Sequence, residues 1–244
     1  MANSKEIQTE LVRLKYNIGA SGPDRNGVDG QLGDKSYAAI LAALRSIDTP
    51  VTPPTQPITV IDLPKSAGLV PLDWMPAARV VRIIVHWTAG AHNPSAFDKL
   101  HYHILIDGNG KLVRGKPAID KNGLPSVKLG YAAHTLNCNG GSIGVSLACM
   151  TGAIERPFKA GPAPITKAQW DVLPYVLADL CKRYGIDVSP ETVLSHAEVE
   201  SNLGIKQRGK WDIAVLPFDS GNFNTAARCG NDFRSKTAQI LAKG

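Results

Sequence analysis

Apolar positions near the start of the chain recur at helical spacing. Ile7, Leu11, Leu14 and Ile18 form one stripe of a 3.6-residue period, which predicts an amphipathic helix over residues 5–18 with Gly19 as its stop. Residues 22–33 carry turn chemistry, Gly-Pro-Asp-Arg-Asn-Gly-Val-Asp-Gly and onward to Gly33. A second helix is expected over residues 35–47, capped by Asp34, with Tyr37, Ile40, Leu41 and Leu44 on its apolar face. Residues 1–48 thus read as a small all-α domain. Pro50, Pro53, Pro54 and Pro57 bias residues 49–57 to polyproline II, a semi-rigid spacer of roughly 28 Å at about 3.1 Å per residue.

From residue 58 to residue 244 the pattern alternates strands with helices, as in an α/β domain with a mixed central sheet flanked by helices. Residues 79–87 are rich in β-branched side chains and read as a buried strand ending in His86 and Trp87. Residues 101–107 predict a second strand, and the Asp-Gly-Asn-Gly turn that follows sends residues 111–114 back as a hairpin arm. Residues 142–149 are a third strand and 193–195 a short one leading into His196. Between them, residues 165–184 read as a long amphipathic helix, with Thr166 as N-cap, Gly185 as stop and a kink at Pro174. The Gly/Pro-rich stretch over residues 151–164 is expected to border a groove.

Composition changes this picture little: 43% hydrophobic and 20% charged residues are ordinary for a soluble globular chain. No apolar run reaches the roughly 18 residues of a membrane span, and Arg82 interrupts the run from Val80 to Val85, so no stable membrane insertion is expected. The first residues, Met-Ala-Asn-Ser-Lys-Glu-Ile-Gln, lack an apolar signal region, and synthesis in the cytoplasm without a cleaved leader is the expectation. A net charge of +6 favours polyanionic partners. No basic cluster interleaved with aromatics points to nucleic acid, which is not expected as a partner. The four cysteines, Cys138, Cys149, Cys181 and Cys229, form no C-x-x-C pair. Cys149 and Cys181 read as core residues, and a Cys138–Cys229 bridge stays open.

The candidate chemistry lies among six histidines, His86, His92, His101, His103, His134 and His196. His86 and His196 each end a predicted strand, the place where α/β folds present reactive groups. Asp212 adds a carboxylate, and two imidazoles with one carboxylate suit a catalytic zinc ion with an open fourth position. Lys210, two residues away in an extended segment, would share the face of Asp212 and could stabilise an oxyanion. A gap of more than a hundred residues between the histidines has no local signature, so this grouping stands open on spacing alone. His101 and His103 flank Tyr102 on the expected strand and would face away from it. His92 is expected to be exposed, and Glu198 to be a solvated carboxylate rather than a base. No G-x-S-x-G turn is expected, and Gly141-Ser142-Ile-Gly reads as a strand start, which weighs against a serine hydrolase.

Blocks in fixed order carry a resemblance. His86-Trp-Thr-Ala-Gly, Tyr102-His-Ile-Leu-Ile-Asp-Gly-Asn-Gly, Ala133-His134-Thr, Ser142-Ile-Gly-Val-Ser-Leu, Ser195-His196-Ala-Glu and Gly209-Lys210-Trp211-Asp212 together resemble the type 2 N-acetylmuramoyl-L-alanine amidases. Residues 27–40, with Asp29, Gly30, Gly33 and Ser36, resemble the helical peptidoglycan-binding domains of wall hydrolases. The first resemblance implies zinc held by His86, His196 and Asp212, and hydrolysis of the amide between N-acetylmuramic acid and L-alanine in peptidoglycan. It places Lys210 on the family's catalytic lysine. Tyr102 falls on a position where phage members carry Tyr, and a role in orienting water or the carbonyl is expected of it. His134 falls in a block flanking the groove, where substrate contact is set against a structural role, and Thr88 and Asn139 are further candidates for substrate contact. The whole then reads as a monomeric phage or prophage endolysin that reaches the wall through a holin-type lesion. The alternatives are a non-catalytic peptidoglycan-binding protein and a cytosolic muropeptide-recycling amidase.

Overall fold

The computed structural model divides into two compact units, Met1–Asp62 and Leu63–Gly244. It describes residues 4–13, 68–219 and 223–243. In the first unit helix α1 (Ser4–Arg13) overlaps the first part of the helix expected from the apolar stripe, with Leu11 buried. Leu14 and Ile18 of that stripe, the glycine-rich turn, the second helix and the proline linker expected from the sequence lie outside the described residues.

The second unit is built on a five-stranded sheet in the order β3-β2-β4-β1-β5. Its strands are β1 (Arg82–Trp87), β2 (Ile104–Ile106), β3 (Leu112–Arg114), β4 (Ser142–Leu147) and β5 (Val193–Ser195). β1 runs parallel to both β4 and β5, β2 runs parallel to β4, and only the β2–β3 hairpin is antiparallel. The sheet is therefore mixed, as the alternating pattern required.

Strand side chains alternate between the two faces of a sheet, and the sequence uses the faces differently. Ile83, Val85 and Trp87 of β1, with Ile143, Val145 and Leu147 of β4, join the main apolar core. Two helices supply the other half of that core. α3 (Lys167–Tyr184) contributes Trp170, Leu173, Val176, Leu177, Leu180 and Cys181, and α5 (Ala226–Leu241) contributes Cys229 and Phe233. The opposite face carries Ile84 and His86 of β1 and the small residues Ser142, Gly144 and Ser146 of β4. Ile84 closes a smaller apolar cluster there with Cys138, Leu194 and Val199, the last from the short helix α4 (Val199–Leu203).

α3 starts and stops where its sequence dictates. Thr166 accepts the amide hydrogen of Gln169 while the Gln169 side chain accepts that of Thr166, a reciprocal cap. Gly185 closes the helix in the left-handed region at φ 65°, and Pro174 sits inside the helix without ending it. α5 is absent from the sequence reading, yet Cys229, Phe233 and Thr237 recur every fourth residue and Thr225 caps it.

One element differs from expectation. Residues 101–107 do not form one strand: His101 ends the short helix α2 (Asp98–His101), and β2 begins only at Ile104. Local hydrogen bonds explain it, because the Asp98 carboxylate accepts from both the backbone N–H and the hydroxyl of Ser95 at 2.7 Å. That turn competes with strand pairing. All four cysteines are free and buried, so no Cys138–Cys229 bridge forms.

Candidate metal centre

The register of the central strands brings the first two candidate ligands together. Val85 stands opposite Ser195 in the parallel β1–β5 pair, so the next residue of each chain, His86 and His196, emerges at the same sheet edge. The loop carrying Asp212 is tied to the same place. Ala197 N–H donates to the Asp212 carbonyl, and Trp211 packs edge-on against Trp87 with ring centroids 4.5 Å apart.

Three side-chain atoms converge there. His86 Nδ1 and His196 Nδ1 are 3.1 Å apart, and Asp212 Oδ2 lies 3.1 Å from each. All three residues are buried. Burial drives the His86 pKa down to about 4, with the hydrogen bond the ring donates to the Asp212 carboxylate opposing it, so the ring is neutral at pH 7. Burial works against ionisation of Asp212, but hydrogen bonds and charge from His196 and His86 outweigh it and hold the carboxyl below its usual range.

The surrounding groups fix which nitrogen of His196 is free. Gln207 Oε1 lies 2.9 Å from His196 Nε2, while Gln207 Nε2 donates to the carbonyls of Leu136 and Ile205. Those two carbonyls can only accept, so the amide oxygen must face His196, whose Nε2 therefore carries the hydrogen. Its Nδ1 presents a lone pair to the cluster. His86 Nε2 meets His134 Nδ1 at 3.2 Å and the Thr135 hydroxyl at 3.4 Å. His86 Nδ1 faces the same point as His196 Nδ1 and Asp212 Oδ2. A proton shared with Asp212 Oδ2 can hold these atoms together, and a cation placed between them would take its place and draw an electron pair from each. Tetrahedral zinc, with bonds of about 2.0–2.2 Å, holds its ligand atoms roughly 3.3 Å apart, close to the 3.1 Å separations here. The donor set fits a divalent metal.

The cluster opens into a groove of about 650 Å³ lined by Thr88, Tyr131, His134, Leu136, Asn139, Gln207, Arg208 and Lys210. The model of the N-acetylmuramoyl-L-alanine amidase family matches residues 76–212, which span the sheet and all three donors. The chain belongs to this amidase family. It is an enzyme by that membership, and its buried His-His-Asp cluster is the family's kind of metal site. Solved structures of similar fold include AmiD from E. coli, in complex with anhydro-N-acetylmuramic acid-L-Ala-D-gamma-Glu-L-Lys, at 24% identity over 50% of this chain and 51% of that one, TM-score 0.34. This chain thus spans about half the length of AmiD. The Ph2119 endolysin from the Thermus scotoductus MAT2119 bacteriophage Ph2119 matches at 13% identity over 66% of this chain and 87% of that one, TM-score 0.39. LysC from Clostridium intestinale URNW matches at 18% identity over 63% and 88%, TM-score 0.36. These likenesses are distant. No curated protein matches the chain.

Within this amidase the expected site residues fall as follows. His86, His196 and Asp212 meet, and Lys210, Tyr102, His134, Thr88 and Asn139 all line the groove beside them. Lys210 is exposed, and its charge reaches His86. Tyr102 sits with its ring 5.2 Å from that of His86, and burial, then the charge of Asp212, raises its phenol far above neutrality. It can donate a hydrogen bond but not serve as a base. Thr88 and Asn139 spend their oxygens on the fold: Thr88 accepts from the N–H groups of Gly90 and Cys149, and Asn139 from those of His134 and Thr135.

Several expectations need correcting. No groove-lining residue comes from the stretch 151–164, which instead supplies the Pro164 carbonyl at 2.7 Å from His92 Nε2. That contact half-buries His92, which was expected in solvent. Tyr102 lies on no strand, so the argument from strand faces does not apply to its neighbours. His103 is nonetheless structural, accepting from Gly144 N–H through Nδ1 and bonding Asn122 through Nε2. Glu198 is buried, not solvated, and is paired with Arg234. Gly140-Gly141-Ser142-Ile143-Gly144 does fit the spacing of a serine nucleophile turn. The structure rejects that chemistry: Ser142 opens β4 rather than ending a strand, and it is fully buried. Gln207 escaped the sequence reading, since a loop glutamine carries no spacing signal.

Proposed function

We propose that this chain is a zinc-dependent N-acetylmuramoyl-L-alanine amidase that cuts the amide between N-acetylmuramic acid and L-alanine in peptidoglycan. The observation that carries the reading is the buried triangle of His86, His196 and Asp212 opening on a groove, within the span matched by the amidase family. When bound, a zinc ion in such a site lowers the pKa of water to about 7 and polarises the scissile carbonyl.

The chain's own residues do the rest. Gln207 orients His196, and the His134–Thr135 pair engages His86, so neither ring needs to turn on binding. Lys210, at the groove wall, neutralises the oxyanion of the tetrahedral intermediate. Tyr102, kept protonated by burial, donates to the substrate carbonyl or to water and orients it. His134 forms part of the groove wall.

In this reading residues 1–48 bind the wall, residues 49–57 space them from the amidase domain over residues 58–244, and the protein acts as a monomer. It is an endolysin of a phage or prophage, made in the cytoplasm and reaching the wall through a holin-type lesion. The Asp29-Gly30-x-x-Gly33 motif and the phage-like Tyr102 support this. A net charge of +6 favours approach to an anionic wall. Expression in bacteria with and without a holin tests the exit route: lysis only with the holin supports it, and lysis without one refutes it. Mass spectrometry of digested sacculi tests the bond cut. Free L-alanine amino termini on intact stem peptides are expected; new reducing ends or cuts between peptide residues would refute the amidase reading.

A further inference from the structure

We propose that Arg234, on the C-terminal helix α5, is a positioning residue for His196 and acts through a buried ion pair with Glu198. The inference rests on the reading of His196 as a metal ligand. It extends the site beyond residue 212, where the family match ends.

The geometry forms a clamp on the segment that presents His196. Arg234 Nη2 donates to Glu198 Oε1 at 2.8 Å, and Nη1 to Glu198 Oε2 at 3.2 Å. The same Nη1 donates to the Val193 carbonyl at 3.0 Å. Glu198 Oε2 in turn accepts from the Ser195 N–H at 2.9 Å and the Ser195 hydroxyl at 3.0 Å. One guanidinium therefore grips β5 three residues before His196 and the turn two residues after it. Only 7% of Arg234 and 2% of Glu198 is exposed, so water does not compete for these bonds.

The helix is shaped for this approach. A Cβ on Gly230, one turn before Arg234, would lie 2.2 Å from Glu198 Oε1 and 2.3 Å from Oε2. Only glycine lets the helix come so close. Asn231 Oδ1 accepts from Arg234 Nη2 at 2.8 Å and holds the guanidinium in plane. A buried ion pair often contributes no more stability than an apolar isostere of the same shape. What an isostere cannot supply is directional grip on the Val193 carbonyl and the Ser195 N–H, and that grip fixes where the His196 ring points.

The test is zinc affinity of the full chain, stripped of metal and titrated in competition with a chromophoric chelator, with thermal unfolding followed in parallel. The variants are the charge-free pair Glu198→Gln/Arg234→Met, and Gly230→Ala, which keeps both charges and pushes them apart. Both are expected to stay folded and to bind zinc about 10–100-fold more weakly, the usual cost of removing support behind a ligand. Arg234→Lys, which keeps the charge but not the fork, is expected to fall between them and the native chain. A folded variant of either kind with native zinc affinity overturns the clamp. A native chain that binds no zinc overturns the metal reading itself, so the two failures are distinct.

Discussion

Gln207 stands between a metal ligand and the groove wall: its Oε1 takes the Nε2 hydrogen of His196 at 2.9 Å, and its Nε2 donates to the Leu136 carbonyl at 3.0 Å. One side chain thereby ties the ring's tautomer to the position of a substrate-facing loop. Gln207→Ala should weaken zinc binding about 10–100-fold. Gln207→Glu keeps an acceptor for His196 but loses the donor to Leu136, so near-native zinc affinity with a raised KM is expected. Chelator competition and steady-state kinetics on soluble muropeptide check both, and equal behaviour of the two variants would count against the division of labour.

Lys210 acts on the reaction and not on the metal. Lys210→Met should lower kcat by about 10²–10³-fold, the range for losing one oxyanion donor, with zinc content unchanged. A parallel loss of zinc would show the lysine to be structural instead.

How much of this was legible in the sequence depended on whether the physics was local. The caps of α3 at Thr166 and Gly185, the β2–β3 hairpin and the short strand before His196 each follow from a few neighbouring residues. The convergence of His86, His196 and Asp212 is not local. Only the resemblance of ordered blocks points to it in the sequence, and the β1–β5 register gives its cause. What escaped were supports whose partners are distant: Gln207, and Glu198 with Arg234 across 36 positions. A glutamate next to Ala and Val looks solvated until a helix from the end of the chain covers it. His101 and Tyr102 were misplaced for the opposite reason, because the Ser95–Asp98 turn overrides a strand-like composition.

Gly144 makes room for a histidine. A Cβ there would lie 2.7 Å from His134 Cγ, closer than real contacts allow. Gly144→Ala should push the His134 ring off His86 and destabilise the fold by about 1–3 kcal/mol, the usual cost of overpacking. Activity should fall with it. Thermal unfolding and kcat measured together check this, and a native melting point would show that the strand yields instead.

Acid should destabilise the metal-free protein through His103. Burial lowers its pKa to about 4, against 6.5 when unfolded, because the desolvated ring cannot stabilise a charge, and this outweighs its hydrogen bonds to Asn122 and Gly144. As pH falls below 6.5 the unfolded chain takes up the proton first. Stability is therefore full above pH 6.5 and is lost progressively down to pH 4, by about 3 kcal/mol for this group. Urea midpoints between pH 7 and 4.5 should fall steeply for the native chain and less steeply, by close to one proton, for His103→Gln. Identical slopes would remove His103 from the explanation.

The metal stoichiometry of the purified full-length chain tests the central claim most directly. Elemental analysis after equilibration with zinc should find one ion per chain, and much less than one in Asp212→Ala or His196→Ala. A native chain that releases stem peptides from sacculi while carrying no metal, or an Asp212→Ala chain that still holds a full equivalent, would contradict the account.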